Sequence, residues 1–257
     1  MKICKVLQTK EEIQHTICEH WFEHDDTKLP PLFHGTDSSL IGISKQDREQ
    51  INYACEKIIF DIYALLKSEG ISIIDKRLMN SRDSYSTSAD AYAAAGGRVN
   101  NSPLYRYGDF YVTNDPQIAV GYSKEAWILG ETGRVANRLV EGAEAVGIEL
   151  PREDEFINAI KLFDERKSLK KNPVVLMITD CDSSEIYSLG GENIKKRDET
   201  DFLGFIHGLK ELTSMYSYQL SRKTLEKDAT FFMVEAKHYT ELINAWREYE
   251  NLNRRKR

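Results

Sequence analysis

"DFYVTNDPQIAVGYS", Asp109–Ser123, joins two elements with a stop signal between them. Tyr107 to Thr113, "YGDFYVT", gathers aromatic and β-branched residues and reads as a strand. Asp115 then offers a side chain that can cap a helix, and Pro116 suits the first helical position, so a helix is expected over 115–129. Tyr111 falls in the strand and Tyr122 well inside the helix, eleven residues further on. Either tyrosine alone reads as ordinary core packing. Their spacing carries weight only beside a second signal.

That signal lies upstream in "LFHGTDSSL", Leu32–Leu40, where a short apolar run ends in His34-Gly35-Thr36 and turns polar. A turn accounts for it, with glycine relaxing the backbone and Asp37-Ser38-Ser39 continuing a loop. A ligand lying along the strand end, so close that only glycine fits beneath it, accounts for it as well.

The flanking chain reads as one α+β domain over residues 1–257. Residues 10–24 carry Ile13, Ile17 and Trp21 at helical spacing, and "KLPP" ends that helix. His20 and His24 stand one turn apart and could face a metal, but no third ligand accompanies them, so no metal site is expected. Residues 47–69 form an amphipathic helix with an apolar stripe through Ile51, Cys55, Ile58, Ile59, Ile62, Leu65 and Leu66, stopped by Gly70. A long polar stretch follows, Asn80–Pro103, holding Arg82 and Arg98. Further helices are expected over 134–146 and 152–168, a central strand in "PVVLMITD" (Pro173–Asp180), late strands in "YSYQLS" and "TFFMVEA", and a helix from His238.

Composition narrows the function classes. The 257 residues are 41% hydrophobic and 30% charged with a net charge of −6, ordinary for a globular protein and no support for a general nucleic-acid binder. Cys4, Cys18, Cys55 and Cys181 are isolated, which fits a reducing compartment, and the cytoplasm is expected. The start of the chain lacks the apolar core of a signal peptide, and no apolar run approaches the ~20 residues of a membrane span.

Taken together, His34-Gly35-Thr36, the strand bearing Tyr111, Tyr122 eleven residues later, "VVLMITDCDSSEIYSL" and "YQLSRKTLEKDATFFMVEA" resemble, in order, the motifs of the ADP-ribosyltransferase superfamily, in its poly(ADP-ribose) polymerase-like, His-Tyr-Glu branch. The resemblance touches about a quarter of the chain. It implies an ADP-ribosyltransferase-like split β-sheet core with helical insertions at about 47–69 and 124–170, and NAD as co-substrate. It also assigns roles. His34 would hydrogen-bond a ribose hydroxyl, Gly35 and Thr36 would bring the backbone to the nicotinamide amide, and Tyr111 and Tyr122 would sandwich the pyridinium by stacking and cation–π attraction.

The family's third landmark is a glutamate at the start of the penultimate strand, and here the pattern departs. Counting back from "TFFMVEA" reaches Gln219, which can bind a ribose hydroxyl but cannot take a proton. Glu226, in "LEKD", is the next candidate and Glu235 the third. The expected function is mono-ADP-ribosyl transfer, with nicotinamide release, to a macromolecular acceptor, protein or RNA/DNA. Compact stand-alone members of the superfamily are often bacterial toxins or defence effectors, for which an inhibitor or antitoxin protein would be a further partner. NAD hydrolysis and non-catalytic NAD or ADP-ribose binding are the alternatives.

Overall fold

The computed structural model describes residues 3–21, 25, 27–71, 110–125, 130–183, 186–187, 217–220 and 229–255. It is mixed α+β, and its contacts divide the chain into two compact units. The first falls within residues 1–42, 107–127 and 171–257, the second within 43–106 and 128–170. The sequence reading has a single domain with two helical insertions; the first insertion and the second from residue 128 on fall within the second unit, together with the polar stretch up to residue 106.

The first unit holds a seven-stranded sheet: β1 (Ile3–Leu7), β2 (Leu32–Asp37), β3 (Phe110–Thr113), β4 (Pro173–Thr179), β5 (Ile186–Tyr187), β6 (Ser217–Leu220) and β7 (Thr230–Glu235). The strand order is β1-β7-β4-β2-β3-β6-β5. β1 runs parallel to β7, and every other pairing is antiparallel. "PVVLMITD" is central, as expected, because Val174 to Thr179 are all buried between β2 and β7.

Alternation along the strands sends neighbouring residues to opposite faces. Phe33, Val175, Met177, Phe232 and Val234 share an apolar cluster with the helices α1 (Lys10–Glu19), α3 (Pro116–Glu125) and α6 (Tyr239–Arg255). Phe33 meets Trp246 of α6 edge-on, with ring centroids 5.0 Å apart at 86°. Such a pair adds about 1 kcal/mol beyond its buried area. Leu32, Leu176, Ile178, Val112 and Leu220 turn to the other face and form a second cluster.

α1 corrects the expected helix over 10–24. It starts in a capping box, with Thr9 accepting from the Glu12 backbone N–H, and it ends at Glu19. Trp21 keeps its helical spacing in the sequence yet lies outside the helix, with its ring 4.6 Å from Tyr249. Residues 22–24, His24 among them, lie outside the described residues. So does 126–129, the last part of the helix expected over 115–129. The expected N-cap of that helix is in place, with Asp115 Oδ1 accepting from the Gln117 N–H at 2.8 Å.

The second unit consists, among the described residues, of α2 (Lys45–Ser68), α4 (Gly130–Ala145) and α5 (Asp154–Ser168), with α2 packed on both others. Ser44 caps α2, accepting from the Asp47 N–H at 3.0 Å, and Gly70, at φ 68°, follows its last turn. Of the stripe read from the sequence, Ile51, Cys55, Ile58, Ile59, Ile62 and Leu66 are each 5% exposed or less, while Leu65 is only half-buried. Burial pushes the Cys55 thiol up to about 12, so it stays protonated and packs as an apolar group.

Candidate active site at the split beside β2

β2 is unequally paired. Against β4 it is in register from Leu32↔Ile178 to Asp37↔Pro173. Against β3, Phe33↔Thr113 is the one pair in register. β3 in turn pairs with β6 along its length, with Tyr111 directly across from Gln219. β2 and β3 are neighbours in one sheet, with the described register carried at Phe33.

His34 links β2 to β3 by its side chain. Its Nδ1 lies 2.6 Å from the carbonyl oxygen of Tyr111. A carbonyl oxygen only accepts, so the imidazole donates from Nδ1, and in the neutral ring Nε2 is then the acceptor nitrogen. This bond fixes the tautomer and ties the histidine motif to the tyrosine strand.

Gly35 lies within the strand and does not sit in a turn. The turn read into "HGTDSS" comes one step later, where Asp37 accepts from the Ser39 N–H at 2.9 Å and from the Asn172 N–H at 2.7 Å. A Cβ at position 35 would stand 1.9 Å from the Ala119 carbonyl oxygen and 2.5 Å from the Ser123 nitrogen. Glycine is required here because α3 rests directly on the β2 backbone. This is the close approach that the sequence suggested, made by a helix of the same chain. Thr36, in register with Val174, is 6% exposed and turns into the protein.

α3 carries Tyr122 on its outer side. The Tyr122 side chain is 52% exposed, while its neighbour Ser123 is 1% exposed. The Ser123 hydroxyl donates to the Val120 carbonyl at 2.8 Å and accepts from the Tyr239 hydroxyl of α6 at 2.7 Å. Burial pushes the Tyr239 phenol up to about 12, so it remains a donor at any physiological pH. The sequence did not single out Ser123 or Tyr239. Neither belongs to a motif, and the two meet only through the fold.

The candidates for the third landmark separate. Gln219 lies on β6 in register with Tyr111, so β2, β3 and β6, the three strands carrying His34, Tyr111 and Gln219, are consecutive in the sheet. Glu235 ends β7, three strands from β3, about 14 Å away by strand spacing alone. Its carboxylate pairs with Lys237 at 2.8 Å, and that ammonium holds it below the usual carboxylate range. Glu226, Arg82 and Arg98 lie outside the described residues.

His20, one half of the His20–His24 pair, has a different partner. Its Nδ1 is 3.0 Å from Asp180 Oδ1, at the far end of β4. Asp180 has a left-handed backbone, φ 64°, and also accepts from the Thr179 hydroxyl at 3.0 Å. Burial raises its carboxyl, but hydrogen bonds from Thr230, His20 and Thr179 outweigh that and hold it below its usual value. Among the described residues no group of three or more His, Cys, Asp or Glu is arranged to hold a metal, and no helix is long and apolar enough to cross a membrane. No family model, curated protein or solved structure matches the chain.

Proposed function

We propose that the protein is an NAD-dependent mono-ADP-ribosyltransferase, a pentosyltransferase with an ADP-ribosyltransferase-like split sheet, acting on a macromolecular acceptor. The observation that carries the reading is the strand register. Three landmarks scattered over nearly 190 residues, His34, Tyr111 and Gln219, fall on consecutive strands of the sheet, with His34 bonded to the Tyr111 carbonyl and Tyr111 across from Gln219.

In this reading NAD lies in the split. His34 hydrogen-bonds a ribose hydroxyl from a ring whose tautomer the Tyr111 carbonyl fixes. Tyr111 and Tyr122 flank the nicotinamide, and the exposure of Tyr122 suits a ring that closes on a ligand. The glycosidic bond from C1′ to the nicotinamide nitrogen breaks, nicotinamide leaves as a neutral ring, and the acceptor's nucleophile bonds to C1′ and loses its proton. Gln219 holds the ribose but cannot receive that proton, which favours one transfer over chain growth. The same glutamine is the specific reason to keep NAD hydrolysis and simple NAD binding as second readings. A cytoplasmic toxin or defence effector, held in check by an inhibitor protein, is the proposed biological setting.

The test is incubation with adenylate-labelled NAD and cell lysate, followed by separate protease and nuclease digestion. Nicotinamide release with label on protein or nucleic acid is the expected result. Release without retained label makes the protein a glycohydrolase, and binding without release makes it a binding module. Absence of NAD binding overturns the proposal. Gln219→Ala should abolish transfer, while Gln219→Glu should keep it and add hydrolysis by supplying a base.

A further inference from the structure

We infer that Tyr239, on α6, is a positioning residue for NAD: through Ser123 it sets the rotation of α3 and so the placing of the Tyr122 ring at the nicotinamide. The inference rests on the NAD reading of the site and adds to it a residue outside every motif.

Several contacts hold α3, and they constrain different motions. Asp115 caps its start. The backbone of Ala119 and Ser123 lies against Gly35, with no room for a single Cβ, so the helix cannot move closer to β2. That contact fixes distance, and the buried Ala119 and Val120 turn one apolar side of the helix toward the core. The Tyr239–Ser123 bond adds a directional restraint on the rotation that remains. The Tyr239 hydroxyl donates to Ser123 Oγ at 2.7 Å, and Ser123 donates onward to the Val120 carbonyl at 2.8 Å. Both side chains are buried, Tyr239 at 8% exposed and Ser123 at 1%, so water does not compete for the bond. Arg247 of α6 adds a weaker, exposed contact to Gln117 Oε1 at 3.2 Å.

Tyr122 directly precedes Ser123, and successive helical residues are offset by about 100° around the axis. A helix locked inward at Ser123 therefore has its Tyr122 direction fixed. A few degrees of rotation move the tip of a tyrosine ring by about an ångström, enough to spoil stacking on a flat heterocycle.

The experiment uses Tyr239→Phe, which keeps the buried ring and removes only the donor, with Ser123→Ala as the second variant in case the first loses stability. NAD affinity is measured by calorimetry for each, alone and in a Tyr122→Ala background. In parallel, 3-fluorotyrosine at position 122 reports the ring's surroundings by fluorine NMR without NAD. Tyr239→Phe should weaken NAD binding about fivefold and shift the fluorine resonance. In the Tyr122→Ala background the same change should leave affinity within about twofold, while its effect on melting temperature persists. An affinity loss of equal size in both backgrounds, or unchanged affinity and resonance in both variants, overturns the inference. Should the unmodified protein fail to bind NAD, the reading of the site fails instead, and the fluorine shift alone decides whether Tyr239 positions Tyr122.

Discussion

The two sides of β2 are built to different ends. Toward β4 the strand is in register for its full length, its side chains feed two apolar clusters, and the backbone bonds run uninterrupted. Toward β3 one pair is in register among the described residues, and a histidine side chain bonds to the Tyr111 carbonyl beside it. The same six residues thus present a closed side, which holds the fold, and an open side, where the imidazole links two strands. A residue on β2 should accordingly affect either stability or chemistry, depending on which side it serves. His34 serves the open side and Gly35 the closed one, although they are neighbours in sequence.

The largest effect is expected at Gly35. In Gly35→Ala the new methyl meets the backbone of α3, which no rotamer change can relieve, so urea unfolding should show a loss of at least ~3 kcal/mol. Gly42, at φ 83° with nothing near its Cβ position, is the contrasting site, and Gly42→Ala should cost only about 1 kcal/mol. Equal costs at the two positions would mean that α3 does not lie on β2.

His34→Ala is the reverse case. Nicotinamide release should fall by about two orders of magnitude, while the unfolding free energy from urea titration falls by no more than ~1 kcal/mol, the net contribution of one hydrogen bond. A mutant that unfolds but turns over normally once stabilised would assign His34 to the closed side.

Tyr122→Ala should raise the dissociation constant for NAD about tenfold or more, from lost stacking, with the melting temperature unchanged because the side chain is half exposed. Undiminished binding by the folded variant would remove Tyr122 from the site.

The smallest effect concerns acid. The folded-state carboxyl of Asp180 is depressed, so its contribution is fully present above the ordinary value of 3.8 and is lost as pH falls through the lowered one. Glu12, held at about 2 by Lys5 and by the Gln8 and Thr9 N–H groups, adds a parallel loss below 4.5. Urea midpoints followed downward from pH 4.5 should therefore fall less steeply in Asp180→Asn than in the unmodified protein. Identical slopes would show that the His20–Asp180 contact does not stabilise the closed half of the sheet.

What the sequence made legible is what repeats locally. The stripe of α2, the apolar run of β4, and the Asp115-Pro116 start of α3 are each written in a few consecutive residues, and each lies where the pattern says. β1 was not legible. "ICKVL" is five residues long, and its partner β7 lies more than two hundred residues away, so nothing nearby marks it as a strand. β5, two residues long, has even less to show. The end of α1 was misjudged for the same reason, since Trp21 fits the helical period but is claimed by the aromatic rings of α6. At the candidate site the order of the motifs was readable and their physical grounds were not. The glycine beside His34 was read as a turn or a ligand seat, and its tightest neighbour is the carbonyl of Ala119.

The parallel pairing of β1 with β7 also has a consequence in time. Ile3 is opposite Phe231, so the first strand waits for its partner while the intervening chain is made. At ordinary rates of synthesis that delay is on the order of 10 to 50 s. In the last part of this interval, after β4 is made and before β7 is, β4 lacks one of its two neighbours, and Gln219 is added only shortly before β7. A nascent chain therefore holds the histidine and tyrosine motifs well before it holds a finished sheet. Pairings this distant in sequence form late and slowly. The β1–β7 edge is accordingly the part of the sheet that completes only after β7 has been made.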